Sequence, residues 1–438
     1  MRNGADITIV KIQNPFKEIR LLLIYSPKVT NRLQYTLDFI FKQYFGIEYE
    51  LTDRIEATPN PDITRISYSF EKPAGYYSIF QNGLLSASDI KVQQLFVSRE
   101  SDIPIFFQTT EHYDLKFDLF SCVFYLLSRY EEYLPHKKDE HGRYLPSNSI
   151  LSKKEFNFTP IIETWLIYFK ERLLKINPAL LFKEYKFEYQ PTLDIDNAFK
   201  YSGRNWFKHP PNFFKQQGIR VLFNKEKDPY DTLDFITDEA NGLLLKPIFF
   251  FLLSDKTEKD STVSPRSAHL KLIIQNLSTE NKTIGIHPSY SSFEEKSIQK
   301  ERALLEELSG SAITISRQHF LKIHFPHYFR GLIDAGIRID YSLGYPDIPG
   351  FRAGFSREFP FFDLEKNETT SLILQPFSWM DATFEYYQTT NYIENQQKII
   401  LLITQLKKIK AKLVTIFHND LIAKGDYRNT FKFINQQI

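Results

Sequence analysis

Between about residue 187 and the C-terminus, short β-branched runs keep stopping at a residue that can move a proton or hold a metal. Pro191-Thr-Leu-Asp194-Ile-Asp196, Thr283-Ile-Gly-Ile-His287, Ala312-Ile-Thr-Ile-Ser-Arg317-Gln-His319, Gly336-Ile-Arg-Ile-Asp340 and Leu413-Val-Thr-Ile-Phe-His418 share this pattern. Seven strands are expected, at about 188–195, 247–253, 283–286, 312–316, 337–341, 371–376 and 412–417. Helical stretches at 231–242, 266–279, 294–308, 326–335 and 391–410 fall between most of them. Strands that alternate with helical crossovers run parallel and gather their C-terminal ends on one face, so distant side chains meet in one pocket. Six or seven such strands close as an irregular barrel or lie open as a doubly wound sheet. No Gly-x-Gly-x-x-Gly or P-loop follows any of them, which counts against a nucleotide-binding open sheet.

A chain of 438 residues fits two domains. Residues 1–150 mix short strands with helices and read as an N-terminal α/β domain. Its clearest helix is 117–134, whose rings are too many to face water and so predict packing against the second unit. Asp139-Glu-His-Gly-Arg143 reads as a polar turn, and a second amphipathic helix at about 160–176 is stopped by Asn177-Pro178. Residues 151–186 are then a helical linker and 187–438 the second domain.

Lys plus Arg is 55 and Asp plus Glu is 53, so no global field favours nucleic acid or an acidic membrane. Cys122 is the only cysteine, which excludes an intrachain disulfide and a Cys-based zinc site. The 40 Phe and 25 Tyr fill a core or line a sugar-binding groove. Met1-Arg-Asn-Gly-Ala-Asp-Ile has no basic n-region followed by an apolar stretch, and no window approaches ~18 apolar residues. A cytoplasmic protein without a membrane span is expected.

Asp194 and Asp196 leave one face if their strand persists and diverge if it ends. One of such a pair can bind a cation while the other acts as general base; alternatively Asp196-Asn197 caps a helix. His287 precedes Pro288, which favours extended backbone at His287 and makes Pro288 a natural first helical residue, with Ser291 one turn on. Arg317 can fix a carboxylate while His319 faces a metal or solvent. His418 can protonate a leaving group if a carboxylate tunes it. Each of these residues also has a structural reading, as a hydrogen-bonded or capping group.

In this order the residues resemble the motifs of the NodB-homology polysaccharide deacetylase family, in a branch that carries an N-terminal domain of unassigned function. The resemblance implies a distorted (β/α)7 barrel with a divalent-metal site, most naturally zinc, at the strand C-termini. It implies Asp194 as catalytic base, Asp196 and His287 as metal ligands, Arg317 as the brace of the base, Asp340 as the residue tuning the general acid His418, and Ile416 as lining of the acetyl pocket. Arg352, in Gly350-Phe-Arg-Ala-Gly354, is a candidate for substrate contact or for a structural salt bridge. One position departs from the pattern. Ser291 stands where the family has its second metal histidine, so either His319 substitutes, or water holds the metal weakly, or the site binds none. The implied activity is hydrolysis of a carbon–nitrogen bond in an N-acetylated sugar or glycan. The rivals are an impaired glycan-binding or scaffold protein and a metal-dependent hydrolase of a non-sugar amide or ester.

Overall fold

The computed structural model describes residues 22–55, 63–100, 103–109, 112–153, 156–204, 215–223, 225–254, 259–260, 262–292, 295–388 and 391–438. The expectation drawn from Met1 to Ile7 lies outside these residues. Four short strands open the chain: β1 (Leu22–Tyr25), β2 (Glu50–Thr52), β3 (Thr64–Tyr68) and β4 (Tyr77–Ile79). They pair in parallel in the order β2-β1-β3-β4. β5 (Ser98–Glu100) and β6 (Ile103–Ile105) form an antiparallel pair.

The helix expected over 117–134 is shorter, Leu119–Leu127, with every residue buried. Asp118 caps it by accepting the Ser121 backbone N–H at 2.9 Å. It ends because Arg129 takes a left-handed backbone, φ 52°, before a 3-10 turn over Tyr130–Tyr133. Its Phe124 ring packs edge-on against Phe362 of the second sheet at 5.1 Å. The helix Ile161–Ile176 matches expectation and stops at Asn177.

The second sheet has nine strands: β7 (Glu188–Ile195), β8 (Ile248–Phe251), β9 (Thr283–Ile286), β10 (Ile315–Ser316), β11 (Ile339–Asp340), β12 (Phe359–Asp363), β13 (Glu368–Leu374), β14 (Trp379–Met380) and β15 (Lys412–His418). Their order is β12-β13-β11-β10-β9-β8-β7-β15-β14, and every pair is parallel except β12 with β13. All seven expected strands are present. Two further strands carry no such sequence pattern: β12, whose Pro360 suits an edge strand, and β14, which has two residues.

The expected closed barrel is not what the strand ladder shows: among the described residues β12 and β14 are unpaired ends. Coil makes the link instead, with Phe377 N–H donating to Leu343 O at 3.2 Å and Gly350 N–H to Ser378 O at 2.8 Å. The sheet is nonetheless curled. Ile248 and Phe250 of β8, Ile315 of β10, Met380 of β14 and Val414 and Ile416 of β15 share one buried apolar cluster, although β10 and β14 are far apart in the ladder. Their neighbours Phe249, Phe251, Leu413 and Phe417 point the other way into the main core, as the two-residue strand period requires. No helix among the described residues is long and apolar enough to cross a membrane.

Gly285 shows how tightly the inner face is filled. A Cβ there would lie 2.6 Å from the Phe250 ring and 2.8 Å from Ile315 Cγ1. Gly285→Ala is therefore expected to destabilise by about 1–3 kcal/mol, as overpacking does. Gly242→Ala, which meets nothing within 4 Å, is the control. Denaturant midpoints measure both, and equal midpoints would show that the inner face is loose.

Candidate metal centre

The site lies where β7, β9, β10 and β15 end. Parallel register sets His418 opposite Asp194. Asp194 is 2 % exposed and accepts from Arg317 Nη1 at 2.8 Å. Arg317 is itself fully buried: Nε donates to Tyr341 O at 3.2 Å, and the guanidinium lies 4.5 Å from the Phe250 ring centre. Arg317 thus contacts Asp194, the residue it is expected to brace.

His287 and His319 converge on Asp196. His287 Nε2 lies 3.2 Å from Asp196 Oδ1 and 3.9 Å from Asp194 Oδ2; His319 Nε2 lies 3.6 Å from Asp196 Oδ2. The other ring nitrogens fix the tautomers. His287 Nδ1 sits 2.5 Å from the Arg317 carbonyl, which can only accept, so Nδ1 carries the proton. His319 Nδ1 sits 2.8 Å from Asp260 Oδ1, a fully buried carboxylate that also accepts from Tyr290 N–H at 2.8 Å. Both Nε2 atoms therefore face Asp196. Asp196 Oδ1 is buried with no hydrogen-bond partner.

Asp196, His287 and His319 each offer one ligand atom, all within 4.8 Å of one another. This donor set fits a divalent cation of the zinc type, with nitrogen and oxygen ligands and second carboxylate and carbonyl contacts that orient the rings. Electrostatics agree. Burial opposes the His319 imidazolium, yet the Asp196 charge and the hydrogen bonds to Asp196 and Asp260 push it up to about 9. Burial raises Asp196, but the two imidazoles outweigh it and hold the carboxyl well below the ordinary range. A bound cation takes the place of that proton.

Backbone strain delivers His319. After β10 the chain makes a 3-10 turn at His319–Leu321 in which Phe320 and Leu321 are both left-handed, φ 58° and 52°. Such residues cost about 1–3 kcal/mol each and persist only where the surroundings fix them. Pro288, by contrast, opens no helix: residues 288–292 are irregular, and the next helix is Glu295–Ser309. Ser291 is exposed and does not line the cavity over the site.

Three expectations are corrected. Asp340 does not touch His418; its carboxylate accepts from Ser316 Oγ (2.8 Å), Ser342 N–H (2.9 Å) and Tyr328 Oη (3.3 Å). The reason is ladder order, since β11 stands five places from β15. Asp381, which follows β14 beside β15, takes that position: Oδ1 meets His418 Nδ1 at 2.6 Å and Oδ2 accepts the His418 N–H at 2.7 Å. Burial disfavours the His418 imidazolium, but Asp381 raises its pKa well above the ordinary value. Arg352 lies outside the pocket in a buried pair with Glu132, Nε to Oε1 2.9 Å, the salt-bridge alternative. Ile416 is sealed in the inner cluster beneath the site, and Met380 and Ala382 line the cavity instead.

The cavity over these groups is about 120 Å³. Leu321, Pro346, Met380 and Ala382 give it apolar walls, and Gln318, Phe320, Tyr386, Tyr387 and Arg143 also line it. Sequence reasoning does not reach Asp260, Asp381 or Arg143. Asp381 has a signal, an acid just after an apolar run next to the last strand, whereas Asp260 and Arg143 lie in loops with none.

Residues 22–178 match a family model described as "Family of unknown function (DUF7033)". No curated protein matches the chain. Among solved structures the chain is similar to a Mycobacterium smegmatis protein described as a polysaccharide deacetylase, at 14 % identity over 58 % of this chain and 84 % of that one, TM-score 0.40. It is similar to the allantoinase Puue at 10 % identity over 57 % and 84 %, TM-score 0.39. A Pseudomonas aeruginosa PAO1 protein described as a polysaccharide deacetylase is matched at 12 % identity over 57 % and 84 %, TM-score 0.39. Likeness at this level carries no argument about activity, and the chemistry has to come from the site's own geometry.

Competition with a zinc chelator tests the ligand set. His319→Ala should weaken zinc binding by more than the roughly 10–100-fold expected for the orienting partner in Asp260→Asn. Ser291→His should change nothing, because that position is exposed. A large gain in Ser291→His with unchanged affinity in His319→Ala would contradict the assignment.

Proposed function

We propose that this chain is a divalent-metal-dependent hydrolase that removes an acetyl group from an N-acetylated sugar or glycan. The observation that carries the reading is one cluster: three metal-ligand atoms within 4.8 Å, flanked by Asp194 on Arg317 and by His418 on Asp381. Asp196, His287 and His319 would hold the cation, which supplies Lewis-acid polarisation of an amide carbonyl and acidifies water. Asp194, held by Arg317 Nη1 at 2.8 Å, is in place to accept a proton from water. His418 carries a proton through its pairing with Asp381 and gives it to the departing amine, with Nε2 4.0 Å from Asp196 Oδ2.

The cavity supports a short acyl group. Its volume of about 120 Å³ is below the roughly 300–1,000 Å³ of pockets that engulf a whole small ligand. The bulk of the substrate then stays at the mouth, beside Tyr386 and Tyr387. The impaired-protein rival draws its force from Ser291, and the place of His319 speaks against it. We read residues 187–438 as the catalytic unit built on the curled nine-stranded sheet, 1–150 as the N-terminal unit with 151–186 linking them, and the cytoplasm as the setting.

The test is acetate release from a β-1,4-linked pentamer of N-acetylglucosamine and from simple N-acetyl amides, by zinc-loaded and chelator-treated protein. Asp194→Asn should lower kcat by about 10²–10⁴-fold, the usual worth of a general base. His418 must be protonated to act, so activity falls as pH rises through its pKa. Asp381→Asn removes the charge that raises that pKa and should move the alkaline limb to lower pH by roughly 1–3 pH units. Full activity after chelation, or an alkaline limb unmoved in Asp381→Asn, would contradict the mechanism.

A further inference from the structure

Both metal-ligand loops are held by a turn that belongs to neither of them nor to the nine-stranded sheet. In the turn at 139–143, Asp139 Oδ1 accepts the N–H groups of His141 (2.9 Å) and Arg143 (2.8 Å), and Oδ2 accepts from Arg143 Nε at 2.6 Å. The two remaining arms of the Arg143 guanidinium reach across to the site. Nη1 donates to the carbonyl of Phe320, the residue after His319, at 2.9 Å, and Nη2 donates to Tyr387 Oη at 3.2 Å with the guanidinium 5.5 Å from that ring's centre. His141 packs on the Phe320 ring at 5.0 Å, and its Nδ1 lies 3.2 Å from Tyr290 Oη, three residues after His287. Arg143 is 4 % exposed in its side chain and forms part of the cavity wall.

We propose that Arg143 is a positioning residue for the substrate: by holding Phe320 and Tyr387 it sets the width of the cavity mouth against which the part of the substrate beyond the acyl group rests. The left-handed Phe320–Leu321 backbone needs such a restraint, because strained residues keep their geometry only when neighbours fix it. Tyr387 is 42 % exposed and Tyr386 65 % exposed, so this rim has little packing of its own. Arginine suits the task because its planar fork bonds two acceptors at once, which lysine's single ammonium does only in part. The substrate role rests on the deacetylase reading; the restraint on the rim does not.

Two measurements on the full chain separate them. Hydrogen exchange should rise at 318–323 and at 384–388 in Arg143→Ala by about tenfold or more, the effect of losing roughly one hydrogen bond, while 188–195 and 119–127 stay as in the parent. On the zinc-loaded protein, KM for the N-acetylglucosamine pentamer should rise about tenfold with kcat within about twofold, and Arg143→Lys should recover part of the loss. Unchanged exchange at both segments overturns the proposal, as does a fall in kcat with KM unmoved. If Arg143→Ala does not fold, Tyr387→Phe decides, since it removes only the acceptor hydroxyl: a KM several-fold higher supports the proposal and an unchanged KM overturns it. A parent that deacetylates nothing while exchange rises as described would remove the functional reading and leave Arg143 as the brace of the rim.

Discussion

A carboxylate and two imidazole nitrogens crowded into one largely buried site need positive charge between them. Asp196, with the Nε2 atoms of His287 and His319, makes such a cluster, and much of the surrounding structure keeps it from relaxing. The Arg317 carbonyl and Asp260 each hold a ring proton on the far nitrogen, so the Nε2 atoms of both rings stay turned toward Asp196, where His319 carries a proton until a cation replaces it. Two left-handed residues hold His319 in reach. A cation satisfies all three groups at once, whereas a proton satisfies one pair and leaves the third unmatched.

The segment before the second sheet is tied to it by interactions that do not tolerate water. Glu132 lies between Arg129 and Arg352, all three almost fully buried, with Nε to Oε1 distances of 2.9 Å on both sides. Burial raises the Glu132 pKa, but the two guanidinium groups outweigh it and keep the carboxylate ionised. Removing one partner from such a buried pair typically costs roughly 3–5 kcal/mol. Gly350 shows the same closeness in the backbone: its φ is +131°, and a Cβ there would fall 2.4 Å from Asn157 O. This contact fixes the Gly350-Phe-Arg-Ala-Gly354 loop and thereby aims Arg352 at Glu132 rather than at the cavity.

Local pattern carries the strands of the second sheet, because a β-branched run bounded by helical periodicity is a local property. It also carries the idea that Asp194, Asp196, His287, His319 and His418 face one place, since parallel strands end on one face. What escapes it is set by spatial neighbours. Asp340 and Asp381 look alike in sequence, each an acid after a short apolar run, and only ladder order puts Asp381 beside His418. The open ladder is equally invisible, because it depends on the β12–β13 hairpin occupying the edge beyond β11. Asp260 and Arg143 sit in turns whose sequences serve a turn as well as a site.

The central claim is that Asp196, His287 and His319 hold one divalent cation. Crystals of the full chain grown with zinc, measured on both sides of the zinc absorption edge, test it directly. The account predicts a single strong anomalous peak bonded to a carboxylate oxygen of Asp196 and to the Nε2 atoms of His287 and His319, with Asp260 behind the second ring. A map without a peak there, or with the peak bonded to Ser291 and not His319, would contradict it.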